Sequence, residues 1–157
     1  MIFRTTEELL RYSNAYRGVT IGITSGCFDL LHPLQVEYLN KCKRLCDVLV
    51  VLVDSDHFLN LNKNKYPLIN ENDRAFMVDN LKSVDITMVM NNLLDYETVL
   101  SDIECTANNV IQFKHSSTIY STPVIQATNP SIKLITIPDV IRFQSTTEIT
   151  NHLKQTS

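Results

Sequence analysis

Five short apolar runs, 19–24, 48–53, 86–90, 110–113 and 134–137, alternate along the chain with stretches of helical period. This alternation is the signature of a parallel sheet whose successive strands are joined by crossover helices. The second run reads VLVVLV with no polar interruption, as a strand buried on both faces must. The expected fold is therefore α/β, a doubly wound parallel sheet of about five strands with flanking helices, in a single domain over 1–157.

Helix signals fall between the runs. Thr5 or Thr6 followed by Glu8 has the form of a capping box opening a first helix. Pro33 stands where a first-turn proline is tolerated and predicts a helix to about Leu45. Further helices are expected over 72–81, 96–103 and 146–154. The three glycines, Gly18, Gly22 and Gly26, all precede the second helix, and Gly26 falls where the first apolar strand must turn sharply. The stretch LNLNKNKYPLINEN is long for an ordinary connection and reads either as a lid or substrate loop or as a merely solvated segment.

With 157 residues, 44% of them hydrophobic and 20% charged, the chain is large enough for a substantial core. Its formal net charge of −3 argues against a nucleic-acid binder working by broad phosphate neutralisation, although a small anion needs only a few local cations. No apolar run reaches the roughly 18 residues of a membrane span. The opening MIFRTTEELLRYSNAY has acidic and polar residues where a signal peptide is apolar, so a cytoplasmic protein is expected. Cys27, Cys42, Cys46 and Cys105 form no CxxC pair, which points to reduced thiols and to no protein metal site.

Neither GxxxxGK[ST] nor GxGxxG occurs. In their place, after the first of the five strands, stands SGCFDLLHPLQ. Ligands of open α/β sheets bind outside the carboxyl ends of the strands, and free N–H groups at a helix start hold anions. His32 and Gln35, three apart, can both project from the first turn of the following helix toward one ligand. By spacing alone a lone histidine such as His32 beside an apolar run is more often structural than catalytic.

The segment Gly26, Cys27, Phe28, Asp29, Leu30, Leu31, His32 matches the first seven positions of G-[TC]-F-D-x-x-H-x-G-H, the hallmark of the cytidylyltransferase-like nucleotidyltransferase superfamily. VEYLNKCKRLCDVLVVLVDSD resembles that family's helix and second strand, and NENDRAFMVDNLKSVD its acidic-Arg helix. VIQFKH resembles its V-K-G strand end, and QSTTEI its [ST]-[ST]-T motif. Members that activate heptose 1-phosphate or glycerol 3-phosphate are the most similar in motif. The resemblance implies a Rossmann-like sheet and transfer of AMP or CMP from ATP or CTP to a small phosphorylated acceptor, with magnesium carried by the nucleotide. It also implies a homodimer.

By the same resemblance His32, Gln35 and Lys114 are the candidate catalytic residues. Gly26, Cys27, Phe28, Asp29, Arg74, Ser145, Thr146 and Thr147 are the candidate nucleotide-binding residues. Asp29 reads alternatively as a turn-stabilising carboxylate, and Arg74 as a surface ion pair with Asp73 or Asp79. Lys63 and Lys65 fall near the family's loop lysine.

Four positions depart from the pattern. Leu34 and Gln35 replace the Gly and His that end the hallmark, His115 replaces the glycine after the family lysine, and Asn151 stands where some members carry arginine. Gln can donate to a phosphate oxygen but cannot become cationic, and charge-assisted hydrogen bonds are about twice as strong as neutral ones. Two classes of function follow: a nucleotidyltransferase with a weakened site, or a catalytically silent relative that binds a nucleotide, a phosphorylated metabolite or a protein partner.

Overall fold

The computed structural model describes residues 1–13, 15, 17–107, 109–116, 132–138, 151 and 154. Among these, six strands form one parallel sheet: β1 (Ile2–Phe3), β2 (Thr20–Gly26), β3 (Val48–Asp54), β4 (Ile86–Met90), β5 (Asn109–His115) and β6 (Lys133–Ile137). Their order across the sheet is β1-β4-β3-β2-β5-β6. Five described helices connect them: α1 (Thr6–Ser13), α2 (Pro33–Lys43), α3 (Asp56–Lys63), α4 (Glu71–Asp79) and α5 (Leu93–Thr106).

β3, the VLVVLV strand, is buried at every position because it lies between β2 and β4 with a helical layer on each face. On one face Ile21, Ile23, Val50 and Leu52 pack with Leu9 of α1 and with Leu100 and Ile103 of α5. On the other, Leu49, Val51 and Val53 pack with Leu39 of α2 and with Ala75 and Val78 of α4. The sheet is thus doubly wound, as the alternation of runs predicted.

The structure adds two elements that the sequence reading lacked. β1 is an edge strand of two residues, paired Ile2↔Thr87 and Phe3↔Met88, too short to show a period. α3 occupies the first part of the segment expected to be one long loop, so that loop shrinks to 64–70. Ser55 caps α3 by accepting from the Phe58 N–H at 3.1 Å, and Asn64 ends it in the left-handed region at φ 45°. The predicted 146–154 helix lies outside the described residues except at Asn151 and Lys154, both helical and exposed.

Chain order reverses between β2 and β5. β2 and β3 stay paired to Gly26↔Val53, and β5 and β6 to His115↔Ile137. The β2–β5 pairing ends earlier, at Ile23↔Gln112. The two central strands therefore part over their last residues and open a crevice at their carboxyl ends, the place where open α/β sheets bind ligands. Gly22 sits at its root: a Cβ there would lie 2.5 Å from the Phe113 ring and 2.7 Å from the Cys46 sulfur.

Candidate functional site

One lip of the crevice is the turn from β2 into α2. Two residues in it other than glycine adopt left-handed backbone, Phe28 at φ 52° and Leu30 at φ 51°. Such conformations cost on the order of 1 kcal/mol or more each and persist where the surroundings over-determine them. Phe28 is buried and lays its ring on Gly26, where an added Cβ would come within 3.0 Å. A side chain at Gly26 would crowd that ring.

Two charged side chains fasten this turn. Asp29, 2% exposed, accepts from the Leu68 N–H at 3.0 Å and the Ile69 N–H at 3.1 Å. It orders the 64–70 loop against the turn. Arg74 is completely buried; it donates to the Ile69 carbonyl at 2.8 Å, the Cys27 carbonyl at 2.5 Å and Asp56 at 2.6 Å. The surface pair with Asp73 or Asp79 expected as one reading is replaced by a pair with Asp56 on α3. Asp56 is itself tied in, its N–H donating to Glu71 at 2.7 Å. The reading of LNLNKNKYPLINEN as a merely solvated segment is corrected: α3 and the loop after it are bonded to the turn.

His32 is the N-cap of α2, with extended backbone. Pro33 has no N–H, and the Gln35 and Val36 N–H groups return to the His32 carbonyl at 3.0 and 3.3 Å. Leu34 is then the first-turn residue whose N–H has no acceptor among the described residues. α1, α3, α4 and α5 each carry an acidic residue in the first turn, whereas α2 carries none. No acidic residue of its own first turn therefore opposes its positive dipole end. The His32 side chain lies over the Gln35 N–H in a capping-box arrangement, yet its buried Nδ1 closes no full hydrogen bond among the described residues, and burial pulls the imidazole pKa below its usual value. The Gln35 carbonyl accepts from the His32 N–H at a long 3.4 Å, so its amide nitrogen is the group left to act as donor. Leu34 is half-buried on the same turn.

The other lip is the end of β5. Lys114 is half-buried and forms no ion pair with a described residue. His115, also half-buried, stands edge-on to Tyr38 of α2, with ring centroids 5.2 Å apart at 78°. The Tyr38 hydroxyl shares a 2.7 Å hydrogen bond with Thr24 of β2. Tyr38 thereby bridges the two parted strands, and burial pushes its phenol pKa up. The sequence reading missed this bridge because its partners lie far apart in the chain.

Burial likewise raises the Cys27 thiol, opposed by the charges of Arg74 and then Lys65, which places Lys65 within electrostatic reach of the turn. Ser145, Thr146 and Thr147 lie outside the described residues. Among the described residues no group of three His, Cys, Asp or Glu side chains is placed to hold a metal ion. Asp29, the carboxylate in the turn, already gives one oxygen to each of two N–H groups. No described helix is long and apolar enough to cross a membrane.

A doubly wound parallel sheet with a helix start beside its switch point defines an open α/β domain of the type that takes ligands at the carboxyl ends of its strands. The chain belongs to the cytidylyltransferase-like family, whose profile matches residues 23–142. Bifunctional protein HldE of Helicobacter pylori strain HPAG1 is 47% identical over 70 residues, 44% of this chain and 15% of that protein. Bifunctional protein HldE of Nitratiruptor sp. is 38% identical over 93 residues, 59% of this chain and 20% of that one. The matched stretch is thus a fifth or less of these relatives. The lipopolysaccharide core biosynthesis protein of Thermoplasma volcanium shares the fold at a TM-score of 0.68 and 24% identity, covering 79% of this chain and 100% of that one.

Proposed function

We propose that the protein transfers AMP or CMP from ATP or CTP to the phosphate of a sugar or polyol phosphate. An oxygen of the acceptor phosphate attacks the α-phosphorus, the bond from that phosphorus to the α–β bridging oxygen breaks, and pyrophosphate leaves with the electron pair. The observation that carries this reading is the pair of lips: His32 and the acid-free start of α2 on one, Lys114 on the other, around the crevice between β2 and β5. Family membership supports the reaction type, and the motif resemblance to members that activate heptose 1-phosphate favours ATP and a sugar phosphate.

Such a step needs positioning and stabilisation of negative charge more than covalent help. His32 donates to the phosphates, with the Leu34 N–H and the backbone of Gly26, Cys27 and Phe28 shaping the wall beside them. Lys114 holds the acceptor phosphate or the triphosphate, and Ser145, Thr146 and Thr147 offer hydroxyls to the same anions. Arg74 and Asp29 act through the backbone, by holding the turn and the loop. Magnesium carried on the triphosphate would neutralise part of its charge.

One observation favours a second reading, a silent nucleotide binder: the Gln35 side chain returns to the helix cap by accepting from the His32 N–H. Calorimetric titration with ATP, CTP, GTP and UTP, each with magnesium, tests both. One nucleotide binding in wild type and lost in His32→Ala supports the site, and acceptor-dependent pyrophosphate release supports turnover. Binding without release under any sugar or polyol phosphate leaves the silent reading. Binding unaffected by His32→Ala sinks the site assignment.

A further inference from the structure

Two of the departures from the family pattern, Gln35 and His115, lie on elements that face each other. Gln35 is in the first turn of α2, and Tyr38 is three residues on, one turn along the same side of the helix. His115 packs edge-on to Tyr38, whose position is fixed by the Thr24 hydrogen bond and by burial. The imidazole thus stands against the α2 residue one helical turn on from Gln35, on the last residue of β5, where β2 has already parted from it. Strand alternation agrees. Phe113 packs into the core on the α2 and α4 side, and His115 shares its face, whereas Gln112 points to Tyr96 of α5.

We infer that His115 is a phosphate-binding residue, supplying from β5 the imidazole donor that the hallmark carries where this chain has Gln35. The inference rests on the nucleotide reading of the crevice and deepens it. The family pattern sets histidine on the helix and glycine on the strand; here glutamine is on the helix and histidine on the strand. Either arrangement gives the crevice one imidazole besides that of His32. The imidazole restores a side chain able to carry charge, which glutamine cannot do, and a charged donor holds a phosphoryl oxygen more strongly than a neutral amide. The ligand it takes is the polyphosphate of a nucleotide.

The test is calorimetry on the full chain with ATP and CTP, each with magnesium, and with inorganic pyrophosphate. The variants are His115→Phe, His115→Gln, His32→Ala and the double variant Gln35→His with His115→Phe, each checked by thermal melting. His115→Phe keeps a ring against Tyr38 and removes both nitrogens, and the melting temperature separates a loss of fold from a loss of the phosphate contact. The expected result is binding about tenfold weaker in His115→Phe, a smaller loss in His115→Gln, and recovery in the double variant. His115→Phe binding like wild type while His32→Ala fails to bind overturns this inference and leaves the nucleotide reading standing. A double variant no tighter than His115→Phe overturns the exchange of imidazole between helix and strand. A wild-type chain that binds none of the probes overturns both the inference and the nucleotide reading.

Discussion

The two lips of the crevice solve the same problem with different materials. The β2 lip is shaped backbone: two left-handed residues, a ring seated on Gly26, and a turn fastened by Arg74 and Asp29 to α3 and the 64–70 loop. The β5 lip is two side chains, Lys114 and His115, on a strand end paired with β6 and touching α2 through a ring contact. The difference teaches where each lip is fragile. On the first, the decisive residues are buried beneath the ligand surface; on the second, the decisive groups stand at the surface and can be exchanged with little loss of structure.

The largest effect is expected from Arg74→Ala. It removes three hydrogen bonds at once and leaves the Cys27 and Ile69 carbonyls and the Asp56 carboxylate without their partner. Breaking a fully buried pair costs about 3–5 kcal/mol; Asp56 is 39% exposed and can turn to water, so about 2–3 kcal/mol is expected here. Urea unfolding should show the fall in midpoint, with binding at the crevice lost as well. A midpoint within error of wild type would dissolve the contrast between the lips.

Asp29→Asn comes next. The amide keeps one acceptor and loses the charge that strengthens both loop bonds, at a cost of about 1–2 kcal/mol. Hydrogen exchange gives the sharper readout: the Leu68 and Ile69 amides should lose protection while amides of β3 keep theirs. Uniform loss across the sheet would mean that Asp29 supports the whole fold and not the loop.

A smaller effect is expected in the pH dependence of the first lip. Burial lowers the His32 pKa, so the unfolded chain binds its proton first as pH falls. The sign follows: this contribution to stability is complete above the ordinary histidine value and declines as pH drops below it toward the folded value. His32→Gln should flatten the slope of unfolding free energy in that window. Binding runs the other way. A polyanion favours the protonated imidazole, so nucleotide binding should take up a fraction of a proton, measurable by calorimetry in two buffers and reduced in His32→Ala.

How much of this was legible in the sequence follows the same division. The strands and the β2 turn were readable because their signals are local: apolar runs, Gly26 before a proline-started helix, and a contiguous motif. α3 was also signalled locally, by Ser55 as a cap three residues before Phe58, but its Asn and Lys content drew the reading toward a loop. The burial of Arg74 was not legible, since its acceptors Cys27 and Asp56 lie 47 and 18 residues away and only the fold brings them together. The same holds for the Tyr38 bridge and for the early end of the β2–β5 pairing. Helical period shows which face of α4 is apolar; it cannot show that a guanidinium enters that face because three oxygens wait there.

The smallest expected effect on stability tests the second lip most directly. Lys114 has no ion pair with a described residue and sits half-buried at the end of a strand whose core contacts are made by Phe113 and Val110. Lys114→Ala removes a flexible, partly solvated side chain without opening a cavity, so its unfolding free energy should stay within about 0.5 kcal/mol of wild type. Affinity for a nucleotide or pyrophosphate should nevertheless fall about tenfold, the scale of one charge-assisted contact to phosphate. That combination, an intact fold with a weakened site, is what separates a lip made of side chains from one made of backbone. A Lys114→Ala chain that unfolds as readily as Arg74→Ala would place Lys114 in the scaffold and leave the crevice with one working lip.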